Sequence, residues 1–336
     1  MTDNKGEATE TVGDRPKSQK TRICSGLRGN LKRWWWLYTI SLSVIVMVVT
    51  LPIVYVAYPK IAQRDVNKST LNITRMVISD PDPTSFVLYQ SQTVKTASSF
   101  HPWIYSFEAA VSLPRAPRPF ISVHVPKTKS VNGAVIEISQ SIILSDTNSF
   151  ANFAEVIMTQ EEIQMDIQGK PNLQEGGLPK VPISYNKTVT MRGLNKLKGF
   201  NVTEIQLLQK LDNGRNMKGT VFIPNPTVMT ITLGNVTFDL SAQDQPIGQV
   251  YLDNLVLRPG GNTVPMTAAI DEIKIVHLFL SKTNPIREGM IAFNITGNSS
   301  VYNNKQLPYF TEALKASSFT AQIDVTQALQ TLDIHL

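Results

Sequence analysis

The sequence predicts a mainly β protein, in which one N-terminal transmembrane helix is followed by tandem β-sandwiches with one short helix each. Three observations carry this. From Trp34 to Pro59 there is no charged residue. Beyond that run, segments such as "AVIEISQSIIL" and "EIKIVHLFL" place apolar, often β-branched residues at every second position, the period of a half-buried strand. Proline and glycine punctuate at short intervals, in "LPRAPRP", "EGGLPKVP", "IPNPT" and "RPGGN", as turns between antiparallel strands require. A chain of 336 residues also exceeds the ~250–300 at which single cores stop growing, so two folded units plus an anchor are expected.

Residues 1–33 hold eight Lys/Arg against four Asp/Glu, and all seven basic residues from Arg15 to Arg33 come without an intervening acid. The remainder holds 24 against 22, so the net charge of +6 reports a basic tail and not a nucleic-acid surface. With almost no large apolar residues, this tail is expected to be disordered and cytoplasmic. Its basic half either touches anionic headgroups or serves only to set topology. Cys24, the only cysteine, is either an idle thiol or a site of lipidation. Everything after it lacks the means for disulfides or thiolate zinc sites.

The span 34–58 reads as the transmembrane helix. The 26 positions from Trp34 to Pro59 reach about 39 Å as a helix, more than the ~30 Å hydrocarbon core. Twelve of the residues from Leu37 to Val56 are Leu, Ile or Val. Trp34, Trp35, Trp36 and Tyr38 form one interfacial belt, Tyr55 and Tyr58 the other. Pro52 is expected to kink the last third. A cleaved signal is disfavoured by the 33-residue leader and by Tyr55 two before Ala57. The positive flank, with Arg28, Lys32 and Arg33 nearest the helix, keeps the N-terminus cytosolic. N-x-S/T sequons at Asn67, Asn72, Asn186, Asn201, Asn235, Asn294 and Asn298 all fall beyond the helix and agree with an exoplasmic C-terminal part. The layout is that of a type II glycoprotein.

Next comes a polar linker, 59–84, ending in "SDPDPTS". A first, divergent sandwich is expected over 85–193 and a second over 194–336. In "VMTITLGNVTFDL", Met229, Ile231 and Leu233 alternate on odd positions, whereas Val236, Phe238 and Leu240 alternate on even ones. Period two cannot change phase without an extra residue, so Gly234–Asn235 should form a β-bulge. Helical spacing occurs clearly in two places: Phe150, Phe153 and Ile157, and Leu307, Phe310 and Leu314. Ser149 and Pro308 read as helix starts, and a strand follows each. Aligning Phe153 with Phe310 reads as an internal duplication with its boundary near Arg192–Gly193. "KLDNGRNMKG" is a rival boundary, or a hairpin turn.

No catalytic motif is found. His101, His124, His277 and His335 lie far apart, without metal-ligand spacing. No phosphate loop, dinucleotide fingerprint, GxSxG or HExxH occurs. "DPDP" at Asp80–Pro83 contains a DxD but lies between prolines in the expected linker. His277, in "KIVHLFL", reads as a strand histidine. No enzyme activity, metal or cofactor is expected.

"GTVFIPNPTVMTITLGNVTFDL", "IGQVYLDNLVLRPGGNTVPMTAAI" and "SVYNNKQLPYFTEALKASSF" resemble fungal single-pass membrane proteins with a C-terminal domain of unknown function, related to late-embryogenesis-abundant (LEA) type 2 domains. Asn225–Pro226, the "LGN" ten residues on and "LRPGGN" carry the likeness. Its motifs are glycines, prolines and apolar positions, which specify a fold and no chemistry. The resemblance implies immunoglobulin-like sandwiches, often at the vacuolar membrane, and a hydrophobic groove for lipid. The expected function is therefore lipid binding or transfer near the bilayer. The alternative is an adaptor binding another lumenal protein through an exposed apolar patch.

Overall fold

The computed structural model describes residues 24–208, 213–280 and 290–324. The side chains of residues 24–33, Cys24, Arg28, Lys32 and Arg33 among them, lie outside that description, as do the tail 1–23 and His335. The chain divides into two units, Met1–Tyr58 and Pro59–Leu336.

The first unit is helical. Helix α1 runs Cys24–Pro52 and is broken at Trp34, whose φ of −123° and ψ of 18° are not helical. At Pro52, where a kink is expected, the helical hydrogen-bond pattern changes. Proline has no N–H to give and its ring crowds the carbonyl four residues back, and the next five residues, Ile53–Ala57, form a π-helical turn. Trp34 to Ile53 are exposed throughout, the outward face of a helix long and apolar enough to cross a membrane.

The second unit is mainly β. Its first elements are helix α2 (Tyr58–Lys68) and strands β1 (Thr70–Asp82), β2 (Ser85–Lys95), β3 (Trp103–Ile104) and β4 (Phe107–Ser112). Strands β5 (Ile121–Val125), β6 (Thr128–Lys129) and β7 (Val135–Ile143) precede α3 (Thr147–Thr159). Then come β8 (Glu162–Gly169), β9 (Asn172–Gln174), β10 (Val181–Pro182), β11 (Tyr185–Arg192) and β12 (Asn201–Leu207). Strands β13 (Met217–Asn225), β14 (Met229–Ala242), β15 (Gln245–Leu257) and β16 (Gly260–Ile270) lead to α4 (Glu272–Leu280). Last are β17 (Met290–Tyr302), β18 (Lys305–Gln306), α5 (Pro308–Ala316) and β19 (Ser318–Asp324).

Residues 59–84, expected as a linker, thus hold most of α2 and all of β1. Strand β1 is the joint of the molecule. One side pairs antiparallel with β2 and the other parallel with β14, Met76 opposite Met229. A single sheet, β12-β13-β16-β15-β14-β1-β2-β7, therefore runs through both expected sandwiches. A second sheet, β11-β8-β4-β5, covers its β1-β2-β7 end, so that Ile78, Phe86 and Leu88 meet Ala109, Val123 and Met165 across an apolar interior. In the other half β14 also pairs with β17, and β17 with β19. There the sheet curls so that Met217, Phe238, Leu252, Ile295 and Phe319 share one interior.

The bulge predicted at Gly234–Asn235 is present, with register shifts on both sides of Gly234, and it has a purpose. Strand β14 pairs with β1 through Ile231 and with β17 from Asn235 onwards. The extra residue is where one partner gives way to the other. Gly234 has φ +72°, and a Cβ there would sit 2.3 Å from the Val301 carbonyl oxygen, so glycine is required twice over.

The two predicted helices form, each followed by a strand. Asp146, not Ser149, caps α3, its carboxylate accepting the Ser149 N–H at 2.7 Å. Pro308 is the first residue of α5. The helices pack on one another, with Phe150 edge-on to Tyr309 at 4.9 Å. The expected boundary near Gly193 is no free hinge. Gly193 N–H donates to Glu161 O, Leu194 to Ile157 O and Asn195 to Gln160 O, and residues 195–197 form a left-handed turn. Of "KLDNGRNMKG", residues 210–212 lie outside the described residues, and Met217–Gly219 open β13, the antiparallel partner of β12.

"EIKIVHLFL", expected as a strand, is helix α4. Asp271 supplies the start, its carboxylate accepting the Lys274 N–H at 3.2 Å, and Ile275 and Leu278 point inward one turn apart. His277 is accordingly an exposed helix residue. The "DPDP" carboxylates hold the two halves together. Tyr302 donates to Asp80 at 3.1 Å, Lys305 pairs with Asp82, and Tyr309 donates to the Asp82 carbonyl at 2.9 Å.

Candidate functional site

The interior between β1-β2-β7 and β11-β8-β4-β5 holds an apolar cavity of about 50 Å³. Phe120, Phe150 and Phe153 line it at the α3 end, where the rings of Phe120 and Phe153 stack at 4.4 Å. Alternation along β2 turns Phe86, Leu88, Gln90, Gln92 and Val94 to the same inward face, so two amides enter an otherwise hydrocarbon wall. Gln90 is 7% and Gln92 3% exposed. The Gln90 amide donates to Gln92 at 3.1 Å, a pairing expected of amides taken out of water.

Tyr185 also lines the cavity, and Lys187 follows it on the same face of β11. Strand β11 alternates strictly, so both share the inward parity of Val189 and Met191. Burial raises the Tyr185 phenol above its ordinary range and pulls the Lys187 ammonium down to about 8, because each charged form loses water. Lys187 Nζ donates to the carbonyls of Val66 and Ser69, and to that of Asn67 at 3.4 Å, at the C-terminal end of α2. The last carbonyls of a helix lack their regular ladder partners, Val66 O accepting here also from the Ser69 N–H at 3.1 Å and hydroxyl at 2.8 Å, and the helix dipole favours a cation there. Among the described residues no carboxylate forms an ion pair with Lys187. Two further bonds fasten α2. Gln63 donates to Ser184 O and accepts from Ser184 N–H, both at 2.8 Å. The inner face of α2 is Tyr58, Ala62 and Val66, all buried.

The predicted belt residues Trp34, Trp35, Trp36, Tyr38 and Tyr55 are exposed, but Tyr58, assigned to the second belt, is only 6% exposed. Its place on the inner face of α2, one turn before Ala62, is the reason. Of the sequon asparagines, Asn67, Asn72, Asn186, Asn201, Asn235 and Asn294 are exposed. Asn298 is half-buried, and its amide nitrogen donates to both carboxylate oxygens of Asp239, at 2.9 and 2.7 Å. Among the described residues there is no cluster of three His, Cys, Asp or Glu side chains able to hold a metal.

The residues that drew the sequence likeness turn out to be turn fasteners. Asn225, 1% exposed, donates to Met229 O at 2.8 Å and accepts from the Thr227 N–H and hydroxyl at 3.0 and 2.7 Å. Asn262 closes the "RPGGN" turn, donating to Arg258 O and accepting the Arg258 N–H, both at 2.8 Å. Sequence reasoning overlooked Gln90, Gln92 and Lys187. Their signal was available: each is a polar residue on the apolar parity of its strand.

Fold and site together define a β-sandwich protein with an apolar N-terminal helix and an apolar interior into which two amides and a phenol enter. Residues 118–240 match the model of a protein family of unknown function, DUF3712. That match starts in one expected sandwich and ends in the other, crossing Arg192–Gly193. No curated protein matches the chain. Among solved structures, the periplasmic chaperone SfaE shares 11% identity over 75% of this chain and 98% of its own, with a TM-score of 0.17. Red sea bream transglutaminase shares 16% identity over 79% and 32%, with a TM-score of 0.25. The E. coli chaperone DraB shares 11% over 76% and 98%, with a TM-score of 0.20.

Proposed function

We propose that this chain is a non-enzymatic, type II single-pass glycoprotein of a fungal endomembrane, the vacuolar membrane first, that binds lipid beside the bilayer through its first sandwich. The observation that carries the lipid reading is the cavity's polarity. It is hydrocarbon from the phenylalanines to β2, and its only amides, Gln90 and Gln92, are neighbours on one strand. An acyl chain laid along the wall would leave its ester oxygens near those amides and near Tyr185. At about 50 Å³ the cavity is far below the ~300–1,000 Å³ of pockets that enclose small ligands. The ligand is therefore the end of a lipid still seated in the membrane, admitted as the sheets part, and not a whole lipid carried away. The adaptor alternative draws no support from the surface: Trp103, Val135, Ile143 and Ile273, the large apolar residues exposed beyond α2 among the described residues, sit on β3, at the two ends of β7 and on α4, and make no single patch.

The test is photo-crosslinking of the full chain in vesicles containing a diazirine-bearing phosphatidylcholine. Adducts on Phe107–Val111 or Ile121–Val125, reduced when Ala109→Phe fills the cavity, are expected. Adducts confined to the span from Trp34 to Pro59 would sink lipid binding by the sandwich while leaving the anchor intact.

A further inference from the structure

The small sheet β10-β9-β3-β6 takes no part in the cavity, yet its chemistry is distinctive. The segments that build it carry Lys127, Lys129, Lys170 and Lys180, with Glu175 as the one carboxylate among them. All four lysines are exposed. Trp103 is 42% exposed in the middle of them. Lys127 Nζ lies 4.7 Å from the ring centres of both Trp103 and Tyr105, and Lys180 Nζ lies 4.1 Å from that of Tyr105. Tyr105 is half-buried, its hydroxyl donating to Gln174 at 2.6 Å, so Trp103 is the exposed ring. An indole beside an ammonium group suits a layer where water, phosphate and hydrocarbon meet, because it offers an apolar body and a polar tip.

Chain length fixes how near the bilayer this sheet must stay. Ser184, two residues past β10, is held by Gln63, and Ser98, five residues before β3, donates to Asp65 at 2.8 Å. Gln63 is five residues beyond Tyr58, at most ~18 Å of chain from the end of the apolar run. The outer face of α2 adds Lys60, Ile61, Arg64 and Lys68, all exposed, an apolar residue among cations. We infer that this sheet and the outer face of α2 form a second membrane contact that takes the headgroups of anionic lipids, with Trp103 at the interface. The inference rests on the reading of α1 as a membrane anchor, and is independent of the cavity.

The chain has four tryptophans, three of them in α1, so W34F/W35F/W36F leaves Trp103 as the only indole. This full-length variant is reconstituted into phosphatidylcholine vesicles with and without phosphatidylserine, each doped with a headgroup-proximal brominated lipid. Quenching of Trp103 in the anionic vesicles is expected. It should fall as salt rises and weaken about fivefold in apparent lipid affinity for each lysine changed to glutamine at 127 or 180. The salt titration needs no folded variant beyond the parent. Equal quenching in both vesicle types would overturn the role of charge. No quenching in either, with the chain still resistant to alkaline extraction, would overturn the contact and leave the face to a soluble partner. Release of the chain by alkaline extraction would instead overturn the anchor, and this inference with it.

Discussion

The two halves of the β unit bury polar groups for different ends. In the second half each buried polar side chain closes structure on itself. Asn225 and Thr227 tie a four-residue turn, Asn262 ties another, and Ser300 donates to Leu233 O at 2.7 Å beside the bulge. In the first half Gln90 and Gln92 face a cavity, and Lys187 reaches out to hold a separate helix. A buried polar group costs several kcal/mol unless paired, so each must have a partner. The partners differ in kind. The second half spends its polar groups on fixing a fold, and the first leaves them facing a cavity or holding α2.

Removing a fastener should therefore do the greatest damage. Asn225→Ala deletes three hydrogen bonds within a buried turn and leaves Met229 O and the Thr227 donors unsatisfied. A loss of about 2–4 kcal/mol of global stability is expected, read as an earlier denaturation midpoint with an unchanged slope. An effect confined to the β13–β14 turn would mean that the halves unfold separately, which the continuous sheet through β1 argues against.

That continuity was the least legible feature of the sequence. Strand β1 reads as linker because register shifts between Ile73 and Arg75, and between Ser79 and Asp82, scramble the period-two pattern a strand normally shows. The bulge in β14 was legible, because both of its arms are long enough to declare their phase. Helix α4 was misread because Ile273, Ile275, Leu278 and Leu280 alternate nearly as a strand would, and only Asp271 announces a helix. The long apolar helix, the break after its proline and the Phe153 and Phe310 helices were legible from local spacing alone. Gln90, Gln92 and Lys187 obey strand parity and break only its chemistry. Their partners are far away in sequence, Val66 being 121 residues from Lys187, and no local window contains both.

A smaller and more local effect is expected at Lys187. Lys187→Met removes the ammonium from the carbonyls of Val66, Asn67 and Ser69, of which Val66 O keeps the Ser69 N–H and hydroxyl, so the helix should open more readily by about 1–3 kcal/mol while the sandwich holds. Hydrogen exchange in α2 against β13 measures the contrast. The pH dependence has a definite sign. Burial lowers the folded pKa to about 8 from the ordinary lysine value of 10.5. Between those values the unfolded chain binds the proton that the folded chain has released, so stability rises with pH. Below 8 both states are protonated and the penalty of the buried charge is fully present. Wild type should gain stability from pH 8 towards 10 and Lys187→Met should stay flat. Parallel profiles would show that the ammonium is hydrated, and that α2 is not held by it.

The smallest effect on stability, and the sharpest on covalent structure, is expected where the halves differ in their sequons. Asn186, on the first half's edge strand β11, is exposed, with a free course for a glycan on its amide nitrogen. Asn298, on β17, uses that same nitrogen to meet both oxygens of Asp239. A glycan would replace a hydrogen of the very nitrogen that meets Asp239, and it would have to pass a half-buried site. In chain made by a eukaryotic host, Asn186→Gln should lower the mass by one glycan. Asn298→Gln should leave the glycoform unchanged and cost about 1 kcal/mol or less for the altered amide. Glycopeptide mass spectrometry after enzymatic deglycosylation in heavy-oxygen water separates the two sites directly. Full occupancy at Asn298 would mean that Asp239 is satisfied in another way in the native glycoprotein. The second half would then be less closed upon itself than its hydrogen bonds indicate.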